Sequence, residues 1–141
     1  MSGVYDELLL DRSLHPKYNC AIKKHTIEKK LVNASCGDEI TMQLQVEDGV
    51  IKAGGFTGKA CAISSVSADL MIEAVIGKTV DEALAMRESF ERMLLSHVHE
   101  GEETGLSVDE AKKLGVAKAM AQVSRMPARV NCAKLAWKIF E

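Results

Sequence analysis

With 141 residues, 47% hydrophobic and 27% charged, the chain has the size and apolar content of one globular domain spanning residues 1–141, able to bury a core without disulfide or metal staples. Eighteen basic and twenty acidic residues leave a formal charge of −2, which excludes the basic footprint of a nucleic-acid binder. No apolar run reaches the length of a membrane span and the acid-bearing N-terminus fits neither a secretory signal nor a transit peptide, so the sequence predicts a cytoplasmic protein with no nucleic-acid or membrane partner.

The first predicted element is a short helix over Tyr5 to Leu14, ended by Pro16 because a residue before proline avoids the helical region. "HTIEKKLVN" then alternates as a strand, its lysines forming a solvated face. In the next strand Ile40, Met42, Leu44 and Val46 alternate with Thr41, Gln43, Gln45 and Glu47, the period of a half-buried strand. Asp48-Gly49 supplies a hairpin turn. "VIKAGGFTG" returns as a third strand, whose paired glycines predict a bulge or the close approach of another group.

From Cys61 the period changes. Ile63, Val66, Leu70, Ala74 and Val75 form a helical stripe that stops at Gly77, the glycine expected just past a helix end. Thr79 with Glu82 is a capping-box signature for a second helix, which Leu84, Phe90 and Leu94 give a buried face. "HVHEGEETGLS" reads as a polar loop, and Ser107 with Glu110 repeats the capping signature for a helix through Val123, with a break at Gly115. Pro127 ends that segment, and Leu135, Ala136 and Ile139 mark a last helix. Strands followed by helices predict an α+β fold, a small antiparallel sheet of three strands with helices packed on one face.

Three of the four cysteines fall at junctions between these elements. Cys36 precedes the second strand, Cys61 sits where the third strand gives way to a helix, and Cys132 lies near the start of the last helix. Free N–H groups and the dipole at a helix start favour the thiolate, the form that binds metal or attacks sulfur. One such cysteine is more often a small buried side chain than a ligand. Three at junctions, one with Asp38 two residues on and with Gly37, Gly55 and Gly58 to let the backbone turn tightly, point to a shared site. Cys36, Asp38, Cys61 and Cys132 make a set that zinc accepts tetrahedrally. A dication against four anionic ligands leaves the centre negative, so Lys59 and Arg129 are candidates for charge support. Spacing alone is not specific, since the chain has no C-x-x-C pair.

The stretches "NASCGDEITMQL", "FTGKACAISSVSADLM" and "MPARVNCAKLAW" together resemble the IscU-like scaffold superfamily of iron–sulfur cluster assembly. The motif set C-G-D before a strand, G-x-x-C-x-I-S at a helix start and R-V-x-C-A-x-L-x-W near the end is more specific than any one element. The resemblance implies a curved antiparallel sheet and carries the metal-ligand role to Cys36, Asp38, Cys61 and Cys132.

Cluster-building scaffolds typically carry L-P-P-V-K shortly before a histidine and the third cysteine. Here Arg125 to Cys132 keep one proline, and Asn131 stands in place of the histidine. With the long segment between the second and third cysteines, these features resemble the SufU branch of zinc-dependent sulfurtransferases, which work with a cysteine desulfurase of the SufS type. The resemblance implies that a histidine of the desulfurase replaces one thiolate on zinc and frees Cys36 to accept persulfide sulfur, while Asp38, Cys61 and Cys132 keep the metal. The resemblance also implies a downstream cluster scaffold as a further partner. Arg125 and Arg129 either neutralise the site, hold an acidic partner surface, or are ordinary solvated charges. Two other readings stay open: a scaffold holding a transient [2Fe-2S] cluster on the same ligands, and a structural zinc domain used only for binding.

The remaining residues carry less. Cys20 falls in the turn after the first helix and reads as a spare thiol. His97 and His99 suit a metal only on a strand, and His15 and His25 have no partner in sequence. Met71, Met86 and Met93 read as helix core, and Trp137 as a packing anchor.

Overall fold

The computed structural model describes residues 4–95 and 106–141. The order is α1 (Val4–Leu14), β1 (Ile27–Asn33), β2 (Asp38–Glu47), β3 (Val50–Lys59), α2 (Ala62–Val75), α3 (Val80–Leu95), α4 (Val108–Leu114) and α5 (Val130–Lys134), with 3-10 turns over Gly115–Arg125, Pro127–Arg129 and Ala136–Phe140. The three strands pair antiparallel in the order β1-β2-β3, which is the α+β arrangement read from the sequence. Among the described residues no helix is long and apolar enough to cross a membrane.

Alternation along β2 turns Ile40, Met42 and Leu44 into the core, with Leu31 on β1 and Phe56 on β3 beside them. Asp48 and Gly49 both have positive φ (52° and 77°), the geometry of a two-residue hairpin whose twist matches its strands. The paired glycines of β3 serve close approach. A Cβ on Gly54 would stand 3.0 Å from Ile72 and Leu44 side-chain carbons, so α2 lies tightly on the inner face. A Cβ on Gly55 would stand 2.1 Å from the Cys20 carbonyl oxygen. Gly55 therefore does not line a loop around an ion, as its place in the sequence suggested; it admits the segment after α1 across the outer face. That segment is tied down where Phe56 N–H donates to the Tyr18 carbonyl (3.0 Å) and Ile22 N–H donates to Gln43 Oε1 (2.9 Å). The other end of β3 is met by the turn after α2, with Ile51 N–H donating to the Lys78 carbonyl (2.9 Å).

Helix α2 is buried almost all round and is stopped by Gly77, whose φ of 89° no β-branched residue would tolerate. The predicted capping box of α3 is formed, with Glu82 N–H donating to Thr79 Oγ1 (3.1 Å) and Thr79 N–H to Glu82 Oε1 (3.0 Å). Ala83, Met86, Phe90, Met93 and Leu94 make the buried stripe of α3. Leu84 does not join it and is 37% exposed, because it falls off that stripe at helical pitch. Phe90 stacks on Trp137 at 4.9 Å between ring centroids, and Met71 is buried with Met86 and Met93.

The helix opened by Ser107 is shorter than its pattern predicted. Gly115 adopts φ 55° and ends α4, and residues 115–125 continue as 3-10 turns that bury Ala117, Met120 and Val123. One feature has no sequence signature: Arg12 on α1 and Asp69 on α2 are both buried and paired at 2.9 Å, with Glu73 as a second partner of Arg12. Asp69 Oδ1 also accepts from the Lys17 N–H (2.9 Å) and the Tyr18 N–H (2.7 Å), which bolts the chain after α1 to α2.

Candidate metal centre

Local structure brings each of the four sequence-predicted ligands to one end of the sheet. Cys36 lies on the β1–β2 turn, where its N–H donates to the Asn33 carbonyl (3.3 Å) and Gly37 supplies a φ of 71°. Asp38 opens β2 directly opposite Asn33 of β1, so both face inward and are buried. Gly58, at φ 117°, crosses β2 so closely that a Cβ would stand 2.3 Å from the Glu39 carbonyl oxygen, and the chain then turns into Cys61. Cys61 is the N-cap of α2, its sulfur accepting from the Ser64 N–H at 3.4 Å. Cys132 comes from α5 and is fully buried.

Three of the four side chains meet as one group of donors, and Cys61 stands at its edge against Asp38. One donor atom from each of Cys36, Asp38 and Cys132 lies within 4.8 Å of the others, and the sulfurs of Cys36 and Cys132 are 2.9 Å apart. Cys61 Sγ stands 3.8 Å from Asp38 Oδ2. Both oxygens of Asp38 are held: Oδ1 accepts from the Cys61 N–H at 2.7 Å, and Oδ2 accepts from the Ser64 hydroxyl at 2.6 Å and the Asn33 amide at 3.4 Å. Asn33 Nδ2 also reaches Cys132 Sγ at 3.4 Å, and its Oδ1 accepts from the Ser35 hydroxyl (2.9 Å).

These contacts set the electrostatics. Burial raises the Asp38 pKa, but the hydrogen bonds from Ser64 and Cys61 outweigh it and hold the carboxyl below its usual range. Cys132 goes the other way. Burial first, then the neighbouring sulfurs of Cys36 and Cys61, push its thiol up to about 12. The thiolate expected from a helix start is thus not produced by the protein alone, since α5 has only five residues and a weak dipole against full desolvation.

The candidate charges divide. Arg129 is exposed with Nη1 3.8 Å from Cys36 Sγ. Arg125 is exposed four residues earlier, while Lys59 is exposed opposite Glu39 in the register, on the face of the sheet away from Asp38. Cys20 is an exposed thiol over the outer face. His15 and His25 are likewise exposed, and His97 and His99 lie outside the described residues. Two residues escaped the sequence reading. Ser64 carried a signal, the three-residue spacing from the N-cap Cys61; Asn33 was visible only as the position before the turn.

The fold and this pocket define a class: an α+β domain that gathers three thiols and a carboxylate from three separate segments. The description "NifU-like N terminal domain" matches residues 4–102, and the chain belongs to that family. It is 39% identical over 135 residues to an iron–sulfur cluster assembly scaffold protein IscU of Thermotoga maritima, covering 96% of this chain and 88% of the relative. It is 32% identical over 141 residues to the zinc-dependent sulfurtransferase SufU of Bacillus subtilis, covering 100% of this chain and 89% of that one. Among solved structures, a Fervidobacterium islandicum protein assigned as a cluster assembly scaffold for the SUF system superposes with TM-score 0.81 at 33% identity, covering 98% and 96% of the two chains.

Proposed function

We propose that the chain serves iron–sulfur cluster assembly as a zinc-dependent sulfur acceptor, with Cys36, Asp38, Cys61 and Cys132 holding one zinc ion and Cys36 taking sulfur from a cysteine desulfurase. The observation that carries this reading is the convergence of the Cys36 and Cys132 sulfurs with an Asp38 oxygen in a largely buried pocket, the Cys61 sulfur standing 3.8 Å from the same carboxylate. The donor set fits the ion: the Cys132 thiol, which burial keeps protonated, needs a cation to ionise, and three sulfurs with one carboxylate oxygen suit a tetrahedral dication. When bound, zinc supplies the charge that keeps these sulfurs as thiolates at neutral pH.

The remaining chemistry belongs to the chain. Cys36 sits half-exposed on its turn, beside the Arg129 guanidinium, where a partner's persulfide can approach it. Its thiolate attacks the outer sulfur of the persulfide. A sulfur–sulfur bond forms on Cys36 as the partner's breaks, and the partner cysteine leaves as thiolate, so no external oxidant or reductant enters. The named relatives support this reading, one as a zinc-dependent sulfurtransferase and a structural neighbour through the SUF system. The exposed Asn131, in place of a histidine before Cys132, supports it further.

A second reading, a scaffold assembling a [2Fe-2S] cluster on the same four donors, is favoured by the 39% identity to the Thermotoga maritima scaffold protein. Metal analysis and a visible spectrum of the purified chain separate the two: about one zinc and no colour supports sulfur transfer, and iron with acid-labile sulfide supports the scaffold. Trapping persulfides by alkylation after incubation with desulfurase and cysteine then locates the sulfur. Cys36→Ser abolishes the added sulfur, whereas Cys61→Ser and Cys132→Ser lose zinc as well. Sulfur on Cys20, Cys61 or Cys132, with Cys36→Ser still active, overturns the role given to Cys36.

A further inference from the structure

Hydrogen bonding around the four donors is unequal. Ser64, fully buried in the first turn of α2, touches two of them: its N–H donates to Cys61 Sγ at 3.4 Å and its hydroxyl to Asp38 Oδ2 at 2.6 Å. Asn33, buried on β1, also touches two: its amide nitrogen lies 3.4 Å from Asp38 Oδ2 and 3.4 Å from Cys132 Sγ. Asp38 is common to both, and its second oxygen is taken by the Cys61 N–H. The Ser35 hydroxyl on Asn33 Oδ1 orients that amide so that its nitrogen faces the donors. Cys36 receives neither clamp. Among the described residues, its sulfur is in hydrogen-bonding contact only with the Cys132 sulfur and the exposed Arg129 side chain, although it lies within 4.8 Å of Asp38.

We infer that Ser64 and Asn33 are the positioning residues of the centre: Ser64 ties Cys61 to Asp38 and Asn33 ties Asp38 to Cys132, so three donors are held in direction while Cys36, the fourth, carries no such tie. The inference rests on the zinc reading above and adds to it the residues that decide which donor is fixed and which is loose. Two hydrogen bonds on one carboxylate oxygen restrict its rotation, and a sulfur that accepts an N–H keeps its direction. Donors whose directions are held before the metal arrives lose little order on binding, and they keep the ion when the fourth donor turns to another task. The same clamp fixes the start of α2 against the start of β2, since Ser64 and Cys61 lie in one turn of helix and Asp38 opens the strand.

The test measures the metal itself in Ser64→Ala, Ser64→Thr and Asn33→Leu, each alone and combined with Cys36→Ser. Zinc affinity is read by chelator competition, geometry by the visible bands of cobalt(II) loaded in zinc's place, and the fold by thermal unfolding of metal-free protein. Ser64→Ala and Asn33→Leu should each weaken zinc by about 10–100-fold and alter the cobalt bands, while metal-free unfolding stays cooperative. Ser64→Thr, which keeps the hydroxyl, should recover most of the affinity. In the Cys36→Ser background with imidazole as fourth ligand, cobalt should still bind tetrahedrally, and adding Ser64→Ala or Asn33→Leu should remove that binding. Wild-type affinity and unchanged cobalt bands in both clamp variants would overturn the inference. So would metal-free variants that fail to fold, because a positioning role leaves the core intact. If the unaltered chain takes up no zinc or cobalt, the zinc reading itself is what fails, and the two outcomes are distinct.

Discussion

Asp69→Ala tests how far the molecule depends on a polar contact buried between α1 and α2. The wild-type carboxylate accepts from Arg12 Nη1 at 2.9 Å and from the N–H groups of Lys17 (2.9 Å) and Tyr18 (2.7 Å), and both Arg12 and Asp69 are buried. Alanine leaves the guanidinium with Glu73 alone and strands the Tyr18 N–H, while the exposed Lys17 turns to water. Breaking one side of a buried ion pair costs about 3–5 kcal/mol, a large part of the stability of a domain this size. That corresponds to a fall in Tm of about 10–15 °C, readable by circular dichroism on metal-free protein. Asp69→Asn, which keeps an oxygen for the two N–H groups and loses only the charge, should cost roughly half as much. Zinc stoichiometry should be unchanged in both, since Asp69 lies about two turns along α2 from Cys61. A fall of less than about 3 °C for Asp69→Ala would refute the reasoning, because it would mean the buried pair contributes no more than a surface one.

Asp38→Ala removes the hard donor and the acceptor of the Cys61 N–H, so zinc should bind at least about tenfold more weakly by chelator competition while the far-ultraviolet spectrum persists. Gly55→Ala drives a methyl to within 2.1 Å of the Cys20 carbonyl and should destabilise by about 1–3 kcal/mol in denaturant titration, more than Gly37→Ala, where nothing lies within 4 Å and only the φ of 71° is strained. Stability of the metal-free chain should fall as pH rises from the ordinary cysteine value of 9.0 towards about 12, because folded Cys132 keeps a proton that the unfolded chain has lost. Denaturation with chelator and reductant present checks this, and Cys132→Ala should remove that part of the slope.

Elements with a strong period or a cap could be read from the sequence. The alternation of Ile40, Met42 and Leu44 fixed the inner face of β2, and the Thr79–Glu82 and Ser107–Glu110 pairs marked two helix starts. Cys36, Asp38, Cys61 and Cys132 could be chosen because their motifs are local, although only folding brings Cys36 to Cys132, 96 positions away. What the sequence did not reveal depends on partners far along the chain. Arg12 and Asp69, 57 positions apart, leave no periodic trace, and the Cys20 carbonyl over Gly55 is a backbone contact that any residue at position 20 could make. Lys59 was chosen by nearness in sequence to Cys61, but strand alternation turned it to the opposite face of the sheet. The stretch 115–125 has apolar residues suited to an α-helix, yet after the reversal at Gly115 it winds more tightly, as 3-10 turns packed against α2 and α3.

The plugged margin of β3 bears on self-association. A three-stranded open sheet has two margins where another chain can add a strand and begin an aggregate. On β3 the outward N–H of Phe56 is taken by Tyr18 and that of Ile51 by Lys78, so neither group can template a neighbour until the strap after α1 or the turn after α2 is lifted away. The β1 margin is guarded differently, by the exposed charges of Glu28 and Lys30. Loosening the strap, as Gly55→Ala and Asp69→Ala both do, should therefore expose a strand margin before the core melts, and aggregation of those variants below their unfolding temperature is the expected sign.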